Sequence, residues 1–406
     1  MSSQNFFPNI QLAPPDPILG TAIAYRNDPN PNKVNLGVGA YRTDEGKTLI
    51  FNSVREAERR MLEDPNMNKE YLPIEGLDSF CKLSRELIFG SDSPAVAENR
   101  VATLQALSGT GSLRVGAEFL RKHMGASVIY FSKPTWGNHL KIFEMAGYEL
   151  REFPYWKQET KGFDFEGMLG ALEQAPEGAV VMLHACAHNP TGVDPTPDQW
   201  DQIADVISRK NLFPYFDSAY QGFATGNLEA DAGSIRRFVN KGFQMAVSQS
   251  YAKNCGLYGE RIGALHFVCS DEDTAKKVLS QVKLVVRPMY SNPPMHGAHI
   301  VSRILSDPSL KESWQTELTA VSQRIIDMRR RLVEELSKLG TPGDWSHITS
   351  QIGMFSYTGL TPPQCENMIN KWHCYMLKNG RISMSGINSA NVAYVAQAIK
   401  DSVENA

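Results

Sequence analysis

The sequence predicts an α/β fold in which a large domain, built on a parallel sheet wound by helices, is joined to a smaller α+β domain. Three observations lead to this prediction. Short apolar runs alternate with amphipathic segments between residues 100 and 270, a long helical repeat follows, and short strand-like and helical segments end the chain. Alternating strands and helices are typical of a parallel sheet with helices on both faces.

Six short apolar runs are expected to form strands of this sheet. They are Val101–Leu107, Val128–Phe131, Val180–Ala187, Phe213–Phe216, Met245–Val247 and Ala264–Val268. Segments between them carry helix start signals, of which Thr196-Pro197-Asp198-Gln199 is the clearest. It combines a capping box with proline at the first helical position, so a helix is expected to begin there.

The clearest helix follows the predicted sheet. Apolar residues recur there at spacings of three and four: Leu310, Trp314, Leu318, Val321, Ile325, Met328, Leu332, Leu336 and Leu339. Asp307-Pro308 is a start signal, and Gly340 with Pro342 is a stop signal. At 1.5 Å per residue this helix is about 45 Å long, longer than a small domain is wide, so it is expected to run between domains.

Composition and charge argue against several classes of function. The chain has 406 residues and a formal net charge of -3, which gives no long-range field for nucleic acid or an anionic membrane. No uncharged apolar run reaches the roughly 18 residues that span a bilayer, and the first twenty residues lack leader features. Six cysteines without a C-x-x-C pair indicate free thiols, so a cytoplasmic location is expected.

Polar residues follow four of the predicted strands, at the edge where parallel sheets bind ligands. Ser108-Gly109-Thr110-Gly111 follows the first run and leads into a helix, whose free N–H groups and positive dipole suit a phosphate. Three later runs are followed by Asn189, by Asp217 with Tyr220, and by Lys253 with Arg261.

Each of these features has an ordinary alternative when it is taken alone. The glycine-bearing turn and Asp217 could be caps, and Lys253 could be a solvated loop residue. His184, Cys186 and His188 alternate along one predicted strand, so a zinc site is an alternative to hydrogen-bonded core histidines. The G-x-G-x-x-G fingerprint is missing from the turn, which argues against a nicotinamide oxidoreductase.

Taken together, these residues match the groups that bind pyridoxal phosphate. They are the turn at Ser108–Gly111 for the phosphate, the Asp217 carboxylate, the Tyr220 phenol and the Lys253 amine. Its phosphate needs a helix start and an arginine, its ring nitrogen a carboxylate, its phenolate oxygen donors, and its aldehyde an amine. Burial beside other cations favours the neutral amine that the linkage requires. The residues therefore predict a pyridoxal-phosphate site.

Several long motifs give the chain a resemblance to a known family. They are residues 35–42 (NLGVGAYR), 105–111 (QALSGTG), 134–139 (PTWGNH), 184–192 (HACAHNPTG), 256–261 (GLYGER), 291–294 (SNPP) and 351–356 (QIGMFS). On these motifs the sequence resembles the aspartate aminotransferases of the eukaryotic cytosolic type. The resemblance implies a fold-type I pyridoxal-phosphate transferase with a mostly parallel seven-stranded sheet. It also implies reversible ping-pong amino transfer between L-aspartate and 2-oxoglutarate, giving oxaloacetate and L-glutamate.

The resemblance assigns four catalytic residues. Lys253 would hold the cofactor covalently, and Asp217 would pair with its ring nitrogen. Tyr220 would bind the phenolate oxygen, and Trp136 would stack on the ring. Two histidines would lie behind Asp217 in a second layer, His139 and His184.

The other assignments fall into two groups, and no metal is implied. The further residues that would bind the cofactor are Ser108, Gly109, Thr110, Asn189, Ser250 and Arg261, with Tyr71 from a second subunit. The residues that would bind the substrate are Gly39, Trp136, Asn189, Arg381 for the α-carboxylate, and Arg287 from the second subunit for the side-chain carboxylate.

The resemblance also implies how the chain is organised. Residues 1–13 would form an arm that contacts the partner subunit, residues 14–44 and 321–406 a small domain, and residues 45–320 the large cofactor-binding domain. The protein would be a homodimer with composite active sites. An aromatic-amino-acid aminotransferase and a catalytically silent scaffold of this fold remain alternatives.

The sequence departs from the family pattern beside the cofactor lysine. Ala252 stands where many relatives have serine, and Cys255 stands where many have phenylalanine. A thiol this close to Lys253 leads to the hypothesis that the site is sensitive to oxidants.

Overall fold

The structure of the protein is a computed structural model that describes residues 6–14, 17–37 and 39–406. Residues 1–5 of the predicted arm, and residues 15, 16 and 38 of the predicted small domain, lie outside the described residues. In the part of the chain that is described, no helix is long and apolar enough to cross a membrane.

Helices and strands alternate through most of the chain. The helices are α1 (Pro17–Asn27), α2 (Asn52–Glu63), α3 (Asp78–Phe89), α4 (Pro94–Ala97), α5 (Ser108–His123), α6 (Gly137–Met145), α7 (Phe165–Glu173), α8 (Pro197–Arg209), α9 (Leu228–Asp231), α10 (Gly233–Asn240), α11 (Glu272–Tyr290), α12 (His296–Ser306), α13 (Pro308–Lys338), α14 (His347–Ser350), α15 (Pro362–Asn370) and α16 (Val392–Asn405). The strands are β1 (Val34–Asn35), β2 (Val101–Leu107), β3 (Val128–Lys133), β4 (Glu149–Pro154), β5 (Trp156–Lys157), β6 (Gly162–Phe163), β7 (Val180–His184), β8 (Phe213–Ser218), β9 (Met245–Ser250), β10 (Ile262–Val268), β11 (Phe355–Tyr357), β12 (Cys374–Tyr375) and β13 (Arg381–Ser383).

A seven-stranded sheet forms the centre of the fold, in the order β2-β10-β9-β8-β7-β3-β4. β10 is antiparallel to both of its neighbours, and the pairs between β9 and β4 are parallel. The prediction of a mostly parallel seven-stranded sheet is confirmed. The edge strand β4 was not among the six apolar runs, because its sequence is charged, as edge strands often are.

Two apolar cores sandwich the sheet. On one face Phe216 packs with Ile203 of α8 and Phe238 of α10. On the other face Tyr215 packs with Leu113 of α5 and other buried residues. Because neighbouring residues of β8 point to opposite faces, both layers hold this strand, and its carboxyl end is fixed at the edge of the sheet.

The long helix α13 confirms the helical repeat read from the sequence. It begins after Asp307, whose carboxylate accepts hydrogen bonds from the backbone N–H groups of Ser309 and Leu310. Its buried side chains run from Leu310 to Leu336. The helix packs against α2 and α12 near its start and against α14 and α16 further along.

Two small sheets involve the last part of the chain, and one of them joins it to the first part. β1 pairs with β12 in parallel, and β11 pairs with β13 in antiparallel orientation. This mixture of short strands and helices is the α+β arrangement expected for the tail. The division into an arm, a small domain and a large domain stays a prediction.

Candidate active site

The carboxyl ends of three strands bring the predicted polar residues together. The hydroxyl of Ser108, after β2, lies 3.0 Å from the hydroxyl of Ser250, at the end of β9. A Cβ atom added to Gly109 would lie 3.4 Å from Ser250 Cβ and 4.0 Å from Asp217 Oδ1 at the end of β8. Glycine therefore leaves space beside the start of α5, whose first N–H groups are free for an anion.

Lys253 lies in the turn after β9 and is half-buried. Its Nζ is 5.2 Å from the centre of the Tyr220 ring. Burial lowers the pKa of Lys253, and Arg261 and Arg381 lower it further, whereas the Asp217 carboxylate raises it. The net effect is a lowered pKa, so the amine loses its proton more readily than an exposed lysine and becomes a better nucleophile.

Asp217 is paired with His139, and the two atoms that meet are His139 Nε2 and Asp217 Oδ2, 2.9 Å apart. Burial raises the pKa of Asp217, but the hydrogen bond from His139 and the nearby positive charge of Lys253 outweigh it. The net pKa of Asp217 is lowered, so this carboxylate stays ionised.

A chain of hydrogen bonds fixes the direction in which His139 donates. The backbone N–H of Asn189 donates to Nδ1 of His184 over 3.2 Å, so His184 carries its proton on Nε2. That Nε2 lies 3.2 Å from the Thr135 hydroxyl, which lies 3.0 Å from Nδ1 of His139. Burial and His139 lower the pKa of His184 to about 3, so it stays neutral. An ionised carboxylate only accepts hydrogen bonds, so the His139 nitrogen that faces Asp217, Nε2, carries a proton.

Arg381 is buried without a carboxylate partner in the described part of the chain. Its guanidinium donates to the Gly37 carbonyl over 2.9 Å and to Asn189 Oδ1 over 3.4 Å, and it stacks 4.0 Å from the Phe355 ring. The side chain is 3% exposed, and its Nε has no hydrogen-bond partner among the residues that the structure describes. Burial lowers the pKa of Arg381 to about 10, which still leaves it charged at neutral pH. An unpaired buried cation of this kind is suited to an anionic ligand.

The remaining predicted site residues of the cluster lie around Lys253, Asp217 and Arg381. Trp136 caps α6 and meets the His139 ring edge-on at 5.1 Å. A Cβ atom added to Gly39 would lie 3.6 Å from the Phe355 ring. Thr110 is in the first turn of α5, and Arg261 is exposed beyond the turn that holds Lys253.

Two predicted site residues lie away from this cluster. The Tyr71 side chain is 82% exposed, and Arg287 is exposed at the end of α11, where it donates to the Ser291 hydroxyl over 2.6 Å. Both were expected to act in the site of a second subunit. Their exposure is compatible with that expectation, which stays a prediction.

Comparisons with known proteins identify the family of this chain. The family model for aminotransferase class I and II matches residues 31–399. The chain is 56% identical over 403 residues to the cytoplasmic aspartate aminotransferase of Oryza sativa subsp. japonica, covering 99% of both chains. This chain belongs to the class I and II aminotransferase family.

Solved structures of other aminotransferases share the fold of this one. The cytoplasmic aspartate aminotransferase of Saccharomyces cerevisiae has a TM-score of 0.96 at 46% identity and covers 98% of both chains. An aromatic-amino-acid aminotransferase of Burkholderia pseudomallei, covalently bound to pyridoxal phosphate, has a TM-score of 0.96 at 43% identity. It covers 98% of this chain and 100% of that chain. The fold class and the family predicted from the motifs are confirmed.

Some residues of the aminotransferase site were missed by sequence reasoning. Thr135 links His184 to His139, Phe355 stacks on Arg381, and the Gly37 carbonyl accepts from Arg381. All three residues lie inside motifs that carry the family resemblance. That position was the only feature of the sequence that pointed to them. Their partners are distant in sequence, so spacing along the chain did not reveal these contacts.

The two histidines of this alternating set, His184 and His188, are engaged in hydrogen bonds of the fold. His188 lies between the hydroxyls of Ser132 and Thr191, 2.7 Å from each. Within the described residues, no group of three or more His, Cys, Asp or Glu side chains could hold a metal ion. The zinc alternative for His184, Cys186 and His188 therefore has no support.

Cys255 does not match the hypothesis of an oxidant-sensitive site. The side chain is 2% exposed in the apolar core, and burial raises its pKa. The thiolate is the reactive form, so a buried thiol with a raised pKa is unreactive.

The thiols of the native aminotransferase are expected to be inaccessible to reagents in solution. All six cysteines are buried and free. Titration with a thiol-reactive dye should detect fewer than one thiol per chain in the native protein and all six after denaturation. A rapid native reaction that disappears in Cys255→Ser would contradict the protection of Cys255, and Cys269→Ser is the matched control.

Proposed function

We propose that this aminotransferase is an aspartate aminotransferase. It would transfer the amino group reversibly between L-aspartate and 2-oxoglutarate by a ping-pong reaction, giving oxaloacetate and L-glutamate. The observation that carries the proposal is one cluster with an easily deprotonated Lys253, an ionised Asp217 and a buried Arg381 that has no anionic partner among the described residues. The names of the relatives support the same substrates.

The donor set of the cluster fits pyridoxal phosphate. The start of α5, with Ser108, Thr110, Ser250 and Arg261 nearby, offers N–H, hydroxyl and guanidinium donors for a phosphate. Asp217 offers a carboxylate for a ring nitrogen, and Asn189 and Tyr220 are candidates to bind the phenolate oxygen. When bound, pyridoxal phosphate supplies an electron sink for the charge that develops at the substrate Cα.

Each protein group has a distinct role in this proposal. Lys253 would hold the cofactor, and its amine, with a lowered pKa, would take the proton from the substrate Cα and return it. Asp217 would keep the ring nitrogen protonated, because its own pKa is lowered and its carboxylate stays negative. His139 would hold that carboxylate in place through its Nε2 proton.

The selection of a dicarboxylate would come from two arginines. Arg381 would bind the α-carboxylate, and Arg287 of the partner subunit would bind the side-chain carboxylate. A guanidinium binds a carboxylate through two parallel hydrogen bonds, which a lysine does not reproduce. The protein would therefore act as a homodimer in which Tyr71 and Arg287 of the partner subunit complete each site.

An aromatic-amino-acid aminotransferase is the second candidate. A structure described by that name shares the fold at 43% identity, so fold alone does not decide the substrate. The kcat/KM values for aspartate and phenylalanine separate the two candidates. A higher value for phenylalanine would overturn the assignment to aspartate.

The visible spectrum of the purified protein tests the cofactor and both half-reactions. Protein supplied with pyridoxal phosphate should absorb in the visible range, and aspartate alone should shift this absorption to the ultraviolet. Adding 2-oxoglutarate alone to that product should restore the visible band and release glutamate, since the reaction is ping-pong. A preparation that stays colourless with the cofactor present would overturn the proposal.

We also propose a cytoplasmic location. Six free, buried cysteines are usual for a reducing compartment, and a relative at 56% identity is named as cytoplasmic. Another relative at 56% identity is named as chloroplastic. Fractionation of the source cells, with detection by antibody, separates the two locations.

A further inference from the structure

Tyr71 and Arg287 are carried by two segments that are bonded to each other. These segments are residues 71–77 and 287–294. We call them the lending segments, because each carries a side chain that would complete the active site of the partner subunit. The Asn292 side chain donates to the Leu72 carbonyl over 2.7 Å, directly beside Tyr71. The Ser291 hydroxyl accepts from Arg287 and donates to Asn292 Oδ1, each over 2.6 Å. These bonds link the segment that carries Tyr71 to the segment that carries Arg287.

The side chain of Gln105 joins both lending segments to the central sheet. This residue is fully buried in β2. Its Oε1 accepts from the Leu77 N–H over 3.1 Å, and its Nε2 donates to the Pro294 carbonyl over 2.6 Å. One amide satisfies a donor on one segment and an acceptor on the other, which neither a carboxylate nor an apolar side chain can do.

The turn at residues 75–77 lies directly against Gln105. A Cβ atom added to Gly76 would lie 2.2 Å from Gln105 Cβ, and the φ angle of Gly76 is +97°. The Gln105 N–H donates to the Glu75 carbonyl over 2.8 Å, and the Glu75 carboxylate pairs with Lys283 of α11 at 3.0 Å. The first lending segment is thus fixed to β2 on one side and to the helix that carries Arg287 on the other.

We infer that Gln105 is a positioning residue that sets where Tyr71 and Arg287 stand in the active site of the partner subunit. This inference rests on the proposed function, since it presupposes composite sites. Gln105 is three residues from Ser108 of its own site, yet its side-chain amide bonds only to the lending segments among the described residues. Its loss is therefore expected to damage the neighbouring site and spare its own.

Heterodimers with one silenced site test this directly. Lys253→Ala removes the reaction from one site but leaves Tyr71 and Arg287 of that chain available to the other. In the first heterodimer Gln105→Met is placed on the Lys253→Ala chain, and in the second it is placed on the chain with intact Lys253. The two dimers carry the same substitutions in total, so a general loss of stability affects both equally. Two different affinity tags allow each heterodimer to be purified.

The two arrangements are expected to differ. In the first heterodimer kcat/KM for aspartate should fall by about 10-fold to 100-fold, mostly through KM, because misplacing a binding group by about 1 Å costs that much. Its activity with alanine, which has no side-chain carboxylate, should fall less. The second heterodimer should match one that carries Lys253→Ala alone. Calorimetry with succinate, a dicarboxylate that cannot react, should show weakened binding to the intact site of the first heterodimer alone.

Equal losses in the two arrangements, or no loss in either, would overturn the role of Gln105. A separate heterodimer of a Lys253→Ala chain with an Arg287→Ala chain tests the composite sites themselves. It contains one complete site and should regain about half of the wild-type aspartate activity. If it stays inactive, the composite sites of the proposed function fail, and the inference about Gln105 fails with them for that separate reason.

Discussion

Replacing Lys253 by alanine is expected to lower kcat for aspartate by about 10⁴-fold, because the amine that moves the Cα proton is lost together with the attachment of the cofactor. The expected signature is also spectroscopic. Borohydride reduction followed by peptide mass spectrometry should find the cofactor mass on Lys253 in the wild-type protein and on no lysine in the variant.

Lys161→Ala is the matched control for this experiment. Lys161 is also half-buried with a lowered pKa, caused by burial, but it packs on Trp345 at 4.9 Å instead of facing Asp217. This control should keep both the activity and the adduct. Finding the reduced adduct on a lysine other than Lys253 would contradict the whole assignment of the site.

Replacing Arg287 by alanine is expected to change which substrates react well. Removing the charge partner of a bound carboxylate costs about 3–5 kcal/mol, which corresponds to a loss of about 10²-fold to nearly 10⁴-fold in kcat/KM for aspartate and glutamate. Alanine has no second carboxylate and should lose much less. Steady-state kinetics with the three amino acids measure the difference.

Lys276→Ala provides the control for Arg287→Ala. It removes another exposed cation from α11 and leaves the end of the helix intact. Its kinetics should equal those of the wild-type protein. If Arg287→Ala lowers kcat/KM for alanine as strongly as for aspartate, Arg287 acts on the fold or on catalysis in general and does not select dicarboxylates.

The sequence predicts those parts of this molecule that depend on local patterns. The repeat from Leu310 to Leu339 has the period of a helix, and each of the six apolar runs corresponds to a strand at nearly the predicted place. Asp217 and Lys253 could be placed at one edge, because parallel strands present their carboxyl ends together. The edge strand at residues 149–154 could not be predicted from the sequence, because its charged residues do not form an apolar pattern.

Contacts between distant segments are the part that local patterns do not contain. Gly37 and Arg381 are separated by 344 residues, and Gln105 and Pro294 by 189. Nothing in the spacing of either pair indicates that they meet. The role of Thr135 was hidden for a related reason, because a hydroxyl between two histidines is recognised only when both rings have been placed.

The pairing of β1 with β12 has a consequence for the making of the protein. Val34 stands opposite Cys374, so about 340 residues separate the two partners. At about 5–20 residues per second, a ribosome needs roughly 20–70 s to produce the second partner after the first. During that interval β1 cannot pair with β12, because β12 has not yet been synthesised. Chaperones can bind the unpaired segment during this time. The β1–β12 pair can therefore form only after all strands of the central sheet have been synthesised.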